Sequence, residues 1–468
     1  MTETAIVWFR RDLRLDDNAA LSAAAAAERV LPVYCFDPRD YGVCEYGGAD
    51  SFEYRKTGAH RTRFRRESVA DLRSALVEAG SDLLVRRGRP EAVLSDLVAA
   101  VDADALYCHS WPSPEERAVE NRTASACRDR GAAVHRRWGH TLYHVADLPT
   151  PFVDVDDTYT RFRKAVEADA DVRDPRPKPE LPELPTEAPG RGEIPTNGDL
   201  GVAEAERDER AALDFEGGAS AAAARLESYL WTDDRLREYK ETRNGLVGAD
   251  YSSKLSPWLN EGCLSPRRVH SEVTRYERER VANESTYWLV FELLWRDFFA
   301  FQVAKHGATF FSRGGIRRRD DIEWRDDEAA FRRWRRGETG VPFVDAAMRE
   351  LAATGYVSNR ARQNAASFLC NDLRIDWRRG AAHFETALVD YDPASNYGNW
   401  AYIAGVGNDS RDRKFDVVDQ ARTYDPEAVY VKRWLPELEP LSAKYAHEPW
   451  RLTDEEASSR GVDYPRPV

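Results

Sequence analysis

The sequence predicts an N-terminal α/β domain with a parallel, doubly wound five-stranded sheet, joined by a long proline-rich linker to an all-α domain. Three observations support this fold class: apolar runs alternate with helical patterns in the first third, prolines cluster between residues 174 and 199, and helical patterns dominate after residue 219. A chain of 468 residues is long enough for two to four domains. We place the domains at residues 1–138 and 201–468, with the linker at 139–200.

The five strands are predicted at residues 5–9, 30–36, 83–85, 105–109 and 133–138, where short apolar runs occur. Helical patterns such as 61–79 and 115–130 lie between them, and this alternation is typical of a parallel sheet. No G-x-G-x-x-G follows a strand, which argues against a nicotinamide site, and the phosphate-binding G-x-x-x-x-G-K-S/T pattern is missing as well.

The linker contains seven prolines within residues 174–199. Proline interrupts helices and favours extended, semi-rigid chain. We therefore expect this segment to connect the domains while docked along the surface.

Beyond residue 219, the segment 388–409 combines acids, amides and aromatic rings that a core would not need. Asp390, Asp392, Asn396, Trp400 and Tyr402 lie in it. We predict a turn-rich binding segment between helices, since these groups can hydrogen-bond, stack or be oxidised.

Two predicted helices each carry a polar face of the same kind. Glu292, Trp295 and Arg296 share one face, and Asn359, Arg362 and Gln363 share another. The alternative for Glu292 and Arg296 is a surface i,i+4 ion pair without function.

A serine cluster precedes a predicted helix start at Pro257. Ser252, Ser253 and Ser256 can donate to a phosphate, which helix N-termini attract. The alternative is a simple serine helix cap.

Composition excludes a generally basic nucleic-acid coat, because the formal net charge is -13 and the pI is near 5.4. Only nine of the 68 basic residues are lysine. A salt-rich cytoplasm and a codon bias explain this acidic, arginine-biased composition equally well. Six irregularly spaced cysteines predict no disulfide framework and no metal site, and no membrane span or leader pattern is found. We predict a cytoplasmic monomer.

Five longer motifs resemble the photolyase and cryptochrome family, and its DASH-type cryptochromes most. They are WFRRDLRLDDN at 8–18, YSSKLSPWL at 251–259, ELLWRDFF at 292–299, NRARQNAASFL at 359–369 and SNYGNW at 395–400. The resemblance runs nearly end to end and implies that the helical domain binds FAD.

The resemblance assigns cofactor and electron-transfer roles to residues of this chain. FAD contacts are implied for Tyr239, Ser252, Ser253, Lys254, Leu255, Ser256, Glu292, Arg296, Asn359, Arg362, Asp390, Asp392 and Asn396. An Arg362–Asp390 salt bridge would lie over the isoalloxazine, and Asn396 would face its N5, an identity that favours repair over signalling. Trp400, Trp377 and Trp324 match the family's electron-transfer triad, in order from flavin to surface.

The resemblance also assigns contacts with a DNA lesion. These are Glu292, Trp295, Asn359, Arg360, Gln363 and Tyr402. Gln363 and Tyr402 replace the Met and Trp usual in enzymes that repair double strands, so less stacking energy is available for extracting a dimer. The arginine runs 317–319 and 332–336 are either part of the DNA face or solvated.

We therefore predict blue-light repair of cyclobutane pyrimidine dimers, chiefly in single-stranded DNA, by an electron from excited reduced FAD. One alternative is a photoreceptor that binds FAD and nucleic acid, which the absence of a long C-terminal extension disfavours. Another is a non-photoactive RNA or single-strand binder, which the intact triad disfavours.

The second chromophore stays open between a methenyltetrahydrofolate, a deazaflavin and an empty pocket. The family's folate-holding acid would fall near Trp111 and Pro112, while Glu115 and Glu116 are displaced.

Overall fold

The N-terminal part of the chain forms a five-stranded parallel sheet with helices on both faces, as predicted. In this computed structural model, which describes residues 3–48, 51–409 and 414–468, the strand order is β5-β2-β1-β6-β7. All six residues of the central strand are buried, which explains its unbroken apolar run. The strands are β1 (Thr4–Phe9), β2 (Arg29–Phe36), β3 (Val43–Tyr46), β4 (Phe52–Arg55), β5 (Leu84–Arg87), β6 (Ala105–His109) and β7 (Ala133–Arg137).

Strands β3 and β4 form a separate antiparallel hairpin that the sequence analysis missed. Each strand has only four residues, and none of them is fully buried, so the apolar period is weak. The hairpin reaches the helical part of the chain, where the hydroxyl of Tyr46 donates to the carbonyl of Phe311 at 2.6 Å.

The proline-rich segment runs along the sheet, as expected. Residues 174–199, all described, contain no helix. The amide of Val30 in β2 donates to the carbonyl of Glu183 at 3.0 Å, and the amide of Val85 in β5 donates to the carbonyl of Arg191 at 2.8 Å. Gly192 has a positive φ of 73°, and a side chain there would collide with the carbonyl of Val85.

The rest of the molecule is helical. Asp392 begins the helix that follows it, because its carboxylate accepts a hydrogen bond from the amide of Ser395 at 2.8 Å and Pro393 occupies the first turn. The helices are α1 (Ala19–Ala24), α2 (Ala59–Glu78), α3 (Pro90–Ala100), α4 (Pro114–Arg128), α5 (Tyr159–Asp169), α6 (Ala219–Glu227), α7 (Tyr239–Thr242), α8 (Ser256–Asn260), α9 (Pro266–Glu279), α10 (Glu284–His306), α11 (Glu328–Arg336), α12 (Pro342–Thr354), α13 (Asn359–Ser367), α14 (Trp377–Ala387), α15 (Pro393–Ile403), α16 (Val417–Tyr424), α17 (Val429–Trp434), α18 (Ala443–His447) and α19 (Asp454–Ser459).

The prediction of a turn-rich segment at 388–409 is therefore wrong over residues 393–403, which form α15. Asparagine and glycine are poor helix formers, so local propensity favours turns in SNYGNW. Burial between neighbouring helices overrides this preference, since seven of the eleven residues of α15 are buried.

Buried polar contacts tie the helical part to the N-terminal part. Asp297 in α10 accepts hydrogen bonds from the amides of Leu142 at 2.9 Å and Tyr143 at 2.8 Å. Arg65 in α2 pairs with Glu261 at 2.9 Å. The contacts of Asp297 fix α10, which carries several predicted site residues, and the Arg65–Glu261 pair fixes the end of α8.

Candidate functional site

The largest concentration of predicted site residues lines one cavity between α13, α14 and α15. The empty space between its walls, with its open mouth included, is about 490 Å³. Among its walls are Asn359, Arg362, Gln363, Asp390, Asp392, Asn396 and Trp400.

An ion pair forms on the wall of this cavity. Nη2 of Arg362 lies 2.9 Å from Oδ2 of Asp390, which also accepts from the hydroxyl of Ser256 at 2.7 Å. Burial lowers the pKa of Arg362 and Asp390 raises it, with a net increase that keeps the guanidinium charged. The other oxygen of Asp390, Oδ1, is buried and has no hydrogen-bond partner among the described residues. A carboxylate oxygen left without a donor is suited to a bound ligand's N–H or O–H.

Two further polar residues of α15 and its cap line the cavity. Asn396 is buried and donates through Nδ2 to the carbonyl of Ala381 at 3.0 Å. Asp392, besides capping α15, lies 3.5 Å from Nη1 of Arg11. Asn396 therefore stands at the cavity as a neutral, fixed amide.

The segment from Ser252 to Ser256 contains a buried lysine, Lys254. Lys254 is buried with a φ of 54°, and its ammonium donates to the carbonyl of Ala249 at 2.8 Å. The described residues give it no carboxylate partner, and burial lowers its pKa to about 6. A bound anion would stabilise the protonated form of this amine.

The serine-cap alternative is wrong for this segment. Leu255 is the N-cap of α8, and no side chain caps that helix. Ser256 donates to Asp390 instead, while Ser253 and Tyr239 are buried and Ser252 is half-buried.

Of the three predicted tryptophans, the first two in the predicted order are buried and the last is partly exposed. Trp400 and Trp377 are buried, and Trp324 is half-buried. Trp400 packs against Gly380 of α14, the helix that Trp377 begins. The amide of Arg325 donates to the carbonyl of Arg374 at 2.6 Å, which holds the Trp324 segment beside the residues preceding Trp377.

The two charged residues of the predicted polar face of α10, Glu292 and Arg296, bind different partners. Glu292 forms its ion pair with Arg243. Arg296 turns away and donates to the carbonyls of His140 and Leu259, the latter at 3.1 Å. The reading of Glu292 and Arg296 as a surface i,i+4 pair is therefore wrong, because both side chains have stronger partners elsewhere.

Aromatic rings adjoin Glu292 on the same helix. Trp295 stacks on Tyr159 with centroids 3.6 Å apart and meets Tyr402 edge-on at 5.9 Å. Burial raises the pKa of Glu292, and Arg243 lowers it, with a net increase.

Arg360 lies among further polar groups. It donates to Asn244 and to Gln363, both at 3.2 Å, and packs over the ring of Tyr424 at 4.4 Å. Arg243 similarly packs over Trp288 at 4.3 Å. Sequence reasoning missed Arg243 and Tyr159, which lie outside every quoted motif and gave no signal there.

Comparisons with known proteins account for this arrangement. The family model described as "FAD binding domain of DNA photolyase" matches residues 288–468, and "DNA photolyase" matches residues 5–187. Cryptochrome DASH of Natronomonas pharaonis is 59% identical over 100% of this chain and 98% of its own length. Cryptochrome DASH of Gloeobacter violaceus is 50% identical over 100% and 93%. The crystal structure of Synechocystis sp. PCC6803 cryptochrome superposes with a TM-score of 0.94 at 44% identity, covering 100% and 96%.

The chain belongs to the photolyase and cryptochrome family. Its relatives place it in the cryptochrome DASH branch, as the motifs predicted, and it contains the family's FAD-binding domain. Two groups fit this cofactor: Asp390 offers a buried, unpartnered carboxylate oxygen on the cavity wall, and Lys254, outside that wall, offers a buried amine that a phosphate would hold protonated.

A second, smaller cleft of about 270 Å³ in this DASH-type chain lies beside Asp392. Trp111 is buried there between the guanidinium of Arg11, 4.2 Å from its ring centroid, and His140, at 4.5 Å. Glu116 is paired with Arg11 at 2.8 Å. A buried indole thus occupies the position near which the family resemblance places a folate-holding acid.

The arginine runs are partly structural in this family member. Arg317 donates to the carbonyls of Gly405 at 3.1 Å and Asp409 at 3.2 Å. Arg333 donates to the carbonyls of Glu338 and Arg466. These two arginines hold neighbouring loops, and the DNA face stays a prediction for their runs. In the described part of the chain, no helix has the length and apolar character needed to cross a bilayer.

Proposed function

We propose that this protein is a blue-light-dependent flavoenzyme that splits cyclobutane pyrimidine dimers, chiefly in single-stranded DNA. One observation carries the proposal: a single helix, α15, brings Asn396 and Trp400 to the flavin cavity and Tyr402 to the ring of Trp295. The cofactor site and the rings suited to a pyrimidine dimer are therefore parts of one rigid element.

When bound, FAD supplies a light-absorbing group that can donate or accept a single electron. Arg362 and Asp390 hold charge at the wall of its cavity, and Asn396 offers no carboxyl proton there. Its phosphates and ribitol are proposed to be held by Tyr239, Ser252, Ser253, Lys254 and Leu255.

Electrons from the protein surface are proposed to reach the flavin through Trp324, Trp377 and Trp400.

The lesion is proposed to lie against the rings of Trp295 and Tyr402, which touch each other edge-on, with Glu292 accepting a hydrogen bond from it. The Arg243 side chain must then share or release Glu292, because it occupies that carboxylate in this structure. Arg360 and Gln363 are hydrogen-bonded to each other and are suited to the neighbouring backbone.

Strand preference follows from the energy of base flipping. Extracting a dimer costs a few kcal/mol in a duplex and less in a single strand. A net charge of -13 provides little long-range attraction to offset this cost. The phenol of Tyr402 also offers a smaller stacking area than an indole would.

The test measures light-dependent recovery of undamaged thymine from a thymine dimer in a single-stranded oligonucleotide and in the matched duplex. We expect faster repair of the single strand at every salt concentration, and none in the dark. Equal rates would refute the strand preference, and no repair of either substrate would refute the enzyme.

A photoreceptor is the second candidate, and the Arg243–Glu292 ion pair favours it, since it occupies the carboxylate that a lesion would need. Repair assays on Arg243→Met separate the two functions. Repair gained only when Arg243 is removed would support the photoreceptor, whereas wild-type repair would support the enzyme. We further propose a cytoplasmic monomer, in keeping with the acidic composition and the unpaired cysteines.

A further inference from the structure

A buried tyrosine, Tyr397, lies against Trp377, the middle tryptophan of the proposed electron-transfer route. The ring of Tyr397 in α15 meets that of Trp377 at 6.1 Å, with the planes 74° apart. Its hydroxyl donates to Oε2 of Glu385 in α14 at 3.1 Å. Tyr397 and Glu385 are each 2% exposed, so neither exchanges protons readily with water.

A phenol that loses one electron becomes a strong acid, so its oxidation requires a proton acceptor within hydrogen-bonding distance. Glu385 provides that acceptor. Burial raises its pKa and Lys56 lowers it, with a net increase, which makes it a stronger base than an exposed carboxylate. Burial also raises the pKa of Tyr397, so the phenol keeps its proton until it is oxidised.

We propose that Tyr397 and Glu385 form a side branch of the tryptophan route, where an oxidising equivalent that reaches Trp377 is trapped as a neutral tyrosyl radical. One electron passes from the phenol of Tyr397 to the Trp377 cation radical, which returns to a neutral indole. The phenolic proton passes to the Glu385 carboxylate, which becomes a neutral carboxylic acid. The inference rests on the proposed function, in which photoexcited flavin is the one-electron oxidant acting through Trp400.

The surroundings favour this step. Trp377 is fully buried and its indole N–H donates to the carbonyl of Arg313 at 3.0 Å, so its cation radical has no water to which it can lose a proton. The transfer replaces two buried charges, on Trp377 and Glu385, by two neutral groups. Burial penalises ionised groups, and the neutral products avoid that penalty.

The hydroxyl of Tyr54 also donates to Oε2 of Glu385, at 3.3 Å, and we place the end of the branch at Tyr397 because its ring contacts that of Trp377. Tyr46 of the β3–β4 hairpin lies next, with its ring 6.0 Å from that of Tyr397. Its hydroxyl donates to the backbone carbonyl of Phe311, which cannot take up a proton at neutral pH. Tyr46 therefore has the ring contact without the base, which makes Tyr46→Phe a matched control.

The experiment illuminates full-length protein with FAD bound and follows radicals by transient absorption and by electron paramagnetic resonance after rapid freezing. We expect a tyrosyl radical in the wild type, whose formation slows in D₂O. The signal should be lost in Tyr397→Phe and in Glu385→Gln, since glutamine accepts a hydrogen bond but not a proton. It should persist in Tyr46→Phe. Flavin content measured on each variant shows that the site has folded.

The outcomes separate this branch from the route on which it depends. A wild type that shows tryptophan radicals but no tyrosyl radical would overturn the branch, as would a signal that survives Tyr397→Phe. A signal unchanged in Glu385→Gln and in D₂O would overturn the proton transfer. Trp400→Phe tests the route itself: wild-type photoreduction in that variant would overturn the proposed function, whatever Tyr397→Phe shows.

Discussion

Replacing Asp390 by alanine removes the partner of Arg362 on the flavin cavity wall. The Asp390 side chain is 4% exposed and that of Arg362 is 21% exposed. Removing one partner of a buried pair costs roughly 3 to 5 kcal/mol. Because Arg362 retains some contact with water and donates to the carbonyl of Val357, we expect the lower end, about 3 kcal/mol.

If the folded apoprotein tolerates the change, the whole penalty of about 3 kcal/mol is lost from the free energy of FAD binding. At about 1.4 kcal/mol per tenfold, a loss of 3 kcal/mol weakens FAD binding on the order of a hundredfold. The assay is titration of apoprotein with FAD by fluorescence, together with the FAD-to-protein ratio after purification. Urea unfolding of the apoprotein reports any part of the penalty that falls on folding instead.

Two variants make the test specific. Asp390→Asn keeps the shape and an acceptor for Ser256 but removes the charge, and it should lose most of the affinity as well. Asp147→Ala breaks the exposed Arg173–Asp147 pair, whose atoms lie 2.5 Å apart, and should leave FAD binding unchanged. Stoichiometric FAD and wild-type affinity in Asp390→Ala would refute the reasoning.

Three further predictions follow from the same cavity and its surroundings. Trp400→Phe should suppress photoreduction of FAD by an external donor while repair by chemically pre-reduced enzyme survives; unchanged photoreduction kinetics would contradict the proposed route. Burial lowers the pKa of Lys254 from 10.5 to about 6. The unfolded chain therefore binds this proton more readily than the folded apoprotein, which is destabilised as pH falls from 10.5 towards 6. A bound phosphate that restores the charge on Lys254 makes the protein take up a proton on binding. FAD affinity should therefore rise as pH falls through this window, which titrations at several pH values measure, and Lys254→Met should flatten the dependence; equal slopes in both proteins would rule out this role. Tyr402→Trp combined with Gln363→Met should narrow the difference in repair rate between single strand and duplex, and an unchanged difference would show that these two positions do not set it.

The sheet could be predicted because its strands are buried on both faces and leave unbroken apolar runs. β1 shows this most clearly, with all six residues buried. The β3–β4 hairpin and α15 could not, since four-residue strands carry little periodicity and the helix of SNYGNW is imposed by its neighbours. The pattern of apolar residues predicted an element correctly only where burial repeats regularly along the chain.

For the site, the sequence indicated which residues belong together but not how they pair. The Arg362–Asp390 pair was expected from the family resemblance, and it forms. The partners of Glu292 and Arg296 were not expected, because Arg243 and His140 are distant in sequence and their contacts depend on tertiary packing. Pairing across long sequence separation is decided by the fold as a whole.

The hydrogen bonds between the proline-rich segment and the sheet have a consequence for solubility. β5 is an edge strand, and an unpaired edge can add a strand from another molecule. The carbonyl of Arg191 takes the amide of Val85, and Gly192 allows the segment to lie against the carbonyl of that same residue. The seven prolines cannot themselves donate to a further strand. If this segment were detached from the sheet, β5 would be exposed, and we expect self-association through this edge, which the connector shields in the intact protein.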